Sequence, residues 1–510
     1  PPTPSSDRLR LTMPNYPVII GVGQFTNHAK ALDKAIEPAD LMAIAARAAA
    51  TDSGRGDILA SVDSLQVVNI LSWPYEDAPG LLAQRLGITP SHTLYSAVGG
   101  DTPQRLINEV AEEVVSGTKR VALIAGCEVL ASRTLARKNG LMLDWPRGTP
   151  RELVGDTRMG ISEAEARHGA AAPTRMYPLF ENALRVHLGQ TIEEHQQYVG
   201  ELCSRLTRVA ATNPYAWFPR ARTPDEITTV SPSNRWVCFP YPKLMNAIMQ
   251  VDQAAAVIVT RSETAREMGI PEEKWVYVRG CGQANDKWFV SDRVNYHSSP
   301  GIKAATSRAL SMAGLTVDEI DFFDLYSCFP SAVQFGLDAL GLRTDEPRDI
   351  TVTGGLPYFG GAGNNYVMHS VSATVERLRA NPGQKALLTG LGWFATKHSA
   401  GVYSTTPPAG DWMRTDPDVD QAPVEAMPGP VTTDAPDGAA TVETYTVGFG
   451  RDGEPEIGIV VGRLDTGERF FANTAVDADL LWSMTREEFI GTTGRVSTDA
   501  PTKLAVFTPD

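Results

Sequence analysis

Long hydrophobic runs are missing from this chain. No stretch approaches the ~18 consecutive apolar residues of a membrane-spanning helix, and the best run, AAAVIVT at 254–260, has the size of one buried strand. The N-terminal stretch PPTPSSDRLRLTMPNYP has no apolar core of signal-peptide length. Paired cysteines are missing too. The five cysteines, Cys127, Cys203, Cys238, Cys281 and Cys328, are scattered, odd in number and never in C-x-x-C spacing. That argues against a disulfide framework or a metal site, with no metal expected, and points to a reducing cytoplasm. A basic surplus is also lacking. The net charge of −14 argues against nucleic acid as a general partner and leaves an anionic ligand only a local basic patch. Neither glycine loop gives G-x-x-x-x-G-K-[ST], and no G-x-G-x-x-G follows a strand with a suitable acid after it, which argues against nucleotide binding by the glycine loops.

What the chain does have is length, apolar residues and an internal echo. Its 510 residues suit about two to four domains at roughly 150 residues each. Several segments recur in order at an offset of roughly 260 residues, the mark of a duplicated unit. ADLMAIAARAAATDSG (39–54) and GIKAATSRALSMAGL (301–315) are Ala-rich with helical apolar spacing, and both end near glycine. Short strands follow each, VDSLQVVNI and DEIDFFDLYS. Then comes a glycine-rich turn, a helix and a strand: VGGDTPQRLINEVAEEVVSG-TKRVALIAG in one half, GGAGNNYVMHSVSATVERLRAN-PGQKALLTG in the other. The short apolar runs suit strands buried on both faces of an α/β sheet.

The domain reading follows. Residues 1–126 with 251–290 form a first half, and 127–250 an inserted loop domain rich in Arg, His, Pro and Trp. Within it, TIEEHQQYVGELCSRLTRVAATNP predicts a helix stopped by Asn-Pro. Residues 291–410 form the second half. The Pro- and Asp-rich stretch 411–440 reads as a linker or long crossing segment. Beyond it, 441–510 alternates strands with D-G and T-G turns, which predicts a small β-rich, barrel-like domain.

These pieces together resemble the thiolase superfamily over about 15–410. YPKLMNAIMQVDQAAAVIVT is similar to the family's N-x-x-x-x-x-D-G-A-A-A strand. DEIDFFDLYSCF is similar to the strand ending in H-D-C-F in sterol-carrier-protein-type thiolases. GGLPYFGGAGNNY resembles the glycine loop that carries G-H-P, and GLGWFATKHSAGVYST the last glycine-rich hairpin. The branch it most resembles is the type-1 thiolase-like proteins with an extra C-terminal domain. The resemblance implies a thiolase fold: duplicated β-α-β-α-β-β halves in an α-β-α-β-α core.

Thiolase chemistry needs a low-pKa cysteine that carries the acyl group, a histidine to activate it, a second acid/base, and two oxyanion holes. By the resemblance, the cysteine slot falls at Gly100, beside Asp101 and Thr102, and residues 91–110 contain no cysteine. The G-H-P histidine slot is Gly361. Tyr326 replaces the H-D-C-F histidine, Cys328 keeps the cysteine of that motif, and the C-x-G cysteine slot is Gly390, with Gly392 retained. Candidate catalytic residues are therefore Cys328, Tyr326 and His398, the last set against a plain surface-loop histidine beside Lys397. His369 lies about two helical turns past Gly361, too far to substitute for the missing histidine. Asp101 and Thr102 are expected to cap the helix that Pro103 opens. Arg220, Arg222, Arg235 and Lys243 are expected to meet coenzyme A phosphates, with Gly360 and Gly361 close to the thioester.

Three functions follow from this. The first is a thiolase-like protein that binds coenzyme A or an acyl-CoA as a ligand, with no permanently bound cofactor and no acyl-cysteine chemistry. The second is an acyltransferase or aldol-type acyl-CoA lyase using Cys328, alone or with Tyr326, without a covalent intermediate. The third is a non-enzymatic scaffold. A homodimer is usual in the family, and a monomer fits if the extra domain covers the dimer surface.

Overall fold

A computed structural model describes residues 15–510. The N-terminal stretch read as free of a signal segment lies, for 1–14, outside the described residues.

The first half supplies β1 (Pro17–Thr26), β2 (Ser64–Val67), β3 (His92–Tyr95) and β4 (Val121–Val129). The insertion carries two short strands, β5 (Trp236–Cys238) and β6 (Tyr241–Pro242), before β7 (Asp252–Arg261) closes that half. The second half supplies β8 (Val276–Asn285), β9 (Phe322–Asp324), β10 (Lys385–Gly392) and β11 (Lys397–Ser404). The sheet order is β3-β2-β4-β7-β1-β8-β11-β10-β9. From the outer edge inward, the first half runs two parallel pairs and then two antiparallel ones, and the second half one parallel pair and then two antiparallel ones. The β3 counterpart is residues 349–350, whose carbonyls accept from Phe323 and Leu325. The halves join where Val18 and Ile19 of β1 face Tyr277 and Val276 of β8.

Helices complete the layers. Pro38–Asp52 packs on β1 and β7, and Pro300–Ala313 packs on β8 and β11 from the opposite outer face. Between them, Thr102–Ser116 and Tyr366–Ala380 touch each other and strands of both halves. This is the expected α-β-α-β-α stack. Glycines set the spacing of the outer layers. A Cβ on Gly21 or Gly23 of β1 would overlap the carbonyls of Ala49 or Ala45. A Cβ on Gly280 or Gly282 of β8 would overlap those of Ala309 or Ala305. The same two-glycine, two-alanine contact occurs once in each half, at corresponding places.

The insertion contributes the helices Pro173–His187 and Ile192–Ala210. The second begins at a reciprocal Thr191/Glu194 cap and ends shortly before Asn213-Pro214. Within 411–440, a helix at Asp418–Glu425 is tied to the core by a two-pronged Arg308–Asp420 pair (2.7 and 2.8 Å). The crossing segment is therefore docked along its course.

The C-terminal domain holds β12 (Gly438–Phe449), β13 (Pro455–Leu464), β14 (Arg469–Thr474), β15 (Thr493–Asp499) and β16 (Leu504–Pro509). Their order, β13-β14-β16-β15-β12, closes because β13 also pairs β12, so these five strands form a barrel. Gly448 of β12 pairs Cys238 of β5, which attaches the insertion's hairpin to the barrel.

Candidate active site

The turn Gly99-Gly100-Asp101, where the resemblance puts the cysteine slot, enters the helix Thr102–Ser116 in the middle layer. A Cβ on Gly100 would overlap the Tyr326 hydroxyl and the Leu391 carbonyl. The space of a cysteine side chain is thus filled by the tyrosine that stands in the H-D-C-F histidine position. The expected cap is not made. Asp101 holds the N-cap position, yet its carboxylate accepts no cap hydrogen bond, and the Thr102 hydroxyl is buried without a partner. The backbone already turns with Pro103 in the first helical turn. Asp101 Oδ1 instead lies 3.9 Å from Lys397 Nζ, which donates to the Val98 carbonyl.

The glycine loop 354–363 leads into the helix Tyr366–Ala380. Gly360 sits at φ 118, where a side chain is strained, and a Cβ there would also come 2.5 Å from Gln253 Oε1. Gly361 donates its amide to the Ile248 carbonyl (2.8 Å), and a Cβ on it would touch that carbonyl oxygen at 3.2 Å and Met249 sulfur at 3.4 Å. Asn364, just past the glycines, accepts from the Gly99 amide (2.9 Å) and donates to the Asn69 carbonyl (2.9 Å). It ties the loop to the nucleophile turn across the two halves. The doubled Asn364-Asn365 after the glycines was its only sequence signal.

Cys328 and Tyr326 are brought together near Gly100, each 7% exposed. Burial pushes the Cys328 thiol up to about 12, against a smaller opposing effect from the Tyr177 hydroxyl. Burial also raises the Tyr326 hydroxyl well above its ordinary value. Both stay protonated at neutral pH. Tyr177 comes from the insertion and nothing in the sequence flags it. Its hydroxyl donates to the Trp393 carbonyl and accepts from the Ala395 amide (both 3.1 Å), at the tip of the β10–β11 hairpin. Trp393 and Ala395 hold positive φ there, 56° and 53°, so the tip is a strained turn clamped by its neighbours.

His398 is neither in a surface loop nor beside Gly100. It is an interior β11 residue, 2% exposed, whose side chain faces the outer helix Pro300–Ala313. Its Nε2 lies 3.0 Å from Asp286 Oδ2 and 3.3 Å from Ser299 Oγ. Burial works against the Asp286 charge, but the Arg293 guanidinium and His398 outweigh it and hold this carboxyl below the usual range. Strand alternation explains the placement, since Lys397 and His398 must face opposite sides of the sheet. His369 is fully buried, with Nδ1 2.9 Å from Gln24 Oε1, and desolvation pushes it down to about 3. It is a neutral core histidine.

Three of the four expected phosphate-binding cations share one place. Arg220, Arg222 and Lys243 line a cavity of about 330 Å³ with Ser233, Ile248 and Tyr358. Arg235 is turned away, donating to the carbonyls of Trp236 and Gly450 in the barrel's turn. Gly360 and Gly361 are not among the lining residues. Gly361 lies one hydrogen bond behind the cavity wall at Ile248. Among the described residues no group of three or more His, Cys, Asp or Glu is placed to hold a metal ion.

Two mirrored β-α-β halves whose glycine turns meet at the entrances of two middle-layer helices define a protein of the thiolase superfamily. A monomeric SCP2-thiolase-like protein type 1 from Mycobacterium smegmatis is 36% identical to this chain, with a TM-score of 0.84, over 97% of this chain and 99% of that one. The model of the thiolase-like protein type 1 additional C-terminal domain matches residues 419–501. The chain therefore belongs to the type-1 SCP2-thiolase-like family. An acetyl-CoA acetyltransferase from Methanocaldococcus jannaschii is 24% identical over 276 residues, 52% of this chain and 62% of that protein's length. An Ltp2-ChsH2(DUF35) aldolase shares the fold at 19% identity and a TM-score of 0.59, over 76% of this chain and 97% of that one.

Proposed function

We propose that the protein binds coenzyme A or its thioesters without forming an acyl-cysteine. The observation that carries this is the grouping of Arg220, Arg222 and Lys243 on one cavity, with a wall residue, Ile248, bonded to Gly361 of the glycine loop. Three cations suit a ligand with several phosphates. Half-buried, apolar Ala247, Ile248 and Met249 suit the less charged arm that leads inward. The usual covalent route lacks its acyl-carrying cysteine and its activating histidine. Glycines stand in the cysteine and histidine slots, and the remaining cysteine, Cys328, is held protonated. All five cysteines are buried and unpaired, which suits a reducing compartment such as the cytoplasm. No helix among the described residues is long and apolar enough to cross a membrane.

The test is calorimetric titration with coenzyme A. Arg222→Ala and Lys243→Ala are each expected to weaken binding by about tenfold, the size of one charge-assisted contact. Added salt should weaken binding of the unaltered chain further. Incubation with acetyl-CoA should leave the protein mass unchanged. A stable acyl adduct, or no binding at millimolar coenzyme A, would overturn the reading.

A further inference from the structure

The hairpin between β10 and β11 borders the turn at Gly100, where a Cβ would meet the Leu391 carbonyl. Its tip holds Trp393 and Ala395 at positive φ. Such backbone persists only where surrounding groups over-determine it, so whatever holds the tip shapes this wall of the site. Tyr177 holds one side, through the Trp393 carbonyl and the Ala395 amide. Arg293 holds the other. Its Nη2 donates to the carbonyls of Phe394 (3.0 Å) and Ala395 (2.6 Å), and the Asp286 amide donates to the Thr396 carbonyl (2.8 Å). Arg293 is 2% exposed, and its charge is met by Asp286, 3.7 Å from Nη1. The planar guanidinium gives these donors fixed directions, which a flexible ammonium does not.

Arg293 is itself placed from the C-terminal barrel. It follows the short turn Val290–Asp292. Arg469 of β14, 1% exposed, reaches out of the barrel and donates to the carbonyls of Ser291 (3.0 Å) and of Arg293. Its Nε pairs with Glu443 of β12 (2.5 Å), and its guanidinium lies 4.7 Å from the centre of the Tyr296 ring. Both arginines are buried charges that donate to backbone carbonyls. Charge-assisted bonds of this kind are the strong ones, and each fixes where a backbone segment sits. Together they make a chain of contacts from the barrel wall to the hairpin tip.

We propose that Arg469 and Arg293 are positioning residues through which the C-terminal barrel sets the conformation of the hairpin beside Gly100. The added domain is then a working part of the site's wall. This role goes beyond coenzyme A binding and does not depend on it.

The experiment follows hydrogen exchange of the full chain by mass spectrometry, read on peptides carrying 393–397. In parallel, fluorine NMR of the 5-fluorotryptophan-labelled chain follows Trp393, whose resonance is identified by its loss in Trp393→Phe. Arg469→Gln and Arg293→Gln are each expected to speed exchange at the tip by about tenfold, the size of one lost charge-assisted hydrogen bond, and to shift the Trp393 resonance. Arg469→Lys keeps the charge beside Glu443 but loses the fork, so it should restore part of both. Val460→Ala is the control. It opens a hole in the barrel core, where Val460 is fully buried, and touches none of these contacts. It should lower the melting temperature and leave the tip unchanged. Circular dichroism confirms that each variant is folded. If Arg469→Gln is not, Arg469→Lys decides: it should still loosen the tip, and an unchanged tip overturns the proposal. Unchanged exchange and resonance in folded Arg469→Gln or Arg293→Gln also overturn it. So does a tip loosened equally by Val460→Ala, since barrel stability alone would then account for the effect.

Discussion

At Gly100 a single missing Cβ decides what the pocket holds. The Tyr326 hydroxyl and the Leu391 carbonyl occupy the space that a side chain at this position needs. Gly100→Cys is accordingly expected to destabilise by about 1–3 kcal/mol, the usual cost of overpacking, seen as a lower melting temperature. It should give no acyl adduct with acetyl-CoA in mass spectrometry, and an adduct at native stability would contradict this packing. Glu128 offers a second test at this scale. It is fully buried and accepts from the Leu71 and Ser72 amides, yet burial still lifts its carboxyl to about 7. The folded state therefore holds a proton that the unfolded chain releases near the ordinary value of 4.5. Stability from this group is present below that value and is lost as pH rises to about 7. Glu128→Gln removes this dependence. The gap between variant and unaltered chain, read by denaturant melts at pH 5 and pH 8, should shift toward the variant by up to about 3 kcal/mol.

At the scale of elements, the outer helices lie unusually close to their strands because glycine faces them. Gly282→Ala would press a methyl into the Ala305 carbonyl, and neither backbone can yield without moving a whole helix. A loss of about 3 kcal/mol or more is expected. Gly314→Ala is the control. It sits at φ 64 with nothing within 4 Å, so backbone strain alone should cost about 1 kcal/mol. Equal losses in thermal unfolding would show that helix–strand contact is not what Gly282 serves. The repeated helices, strands and glycine turns were legible in the sequence because their periodicity is local. The glycine–alanine contacts were not, since they appear only once a helix docks on its strand.

For the whole molecule, both edges of the nine-stranded sheet are already taken. Beside β3, Val154 bridges Ser96 and exchanges backbone hydrogen bonds with Tyr95 and Ala97. Residues 349–350 lie along β9. These contacts occupy part of each edge that a second copy would need for strand pairing. We expect light scattering after gel filtration to report the mass of one chain, and a stable dimer would refute this. The barrel is fastened rather than appended. Arg469, 1% exposed, donates to the Ser291 and Arg293 carbonyls and pairs with Glu443.

The duplication, the insertion, the C-terminal β domain and the absence of cysteine from 91–110 were decided by the sequence alone, because each rests on local pattern or composition. The sequence offered four cations of the insertion as one group, of which three line one cavity. Only the tertiary structure turned Arg235 toward the barrel, buried His398 on the far side of its strand, set Tyr326 in the cysteine's place and brought Lys397 to Asp101. Those outcomes depend on strand register and on which face of a sheet a side chain takes. One residue of shift along β11 would exchange the positions of Lys397 and His398, and no linear pattern in the chain records that choice.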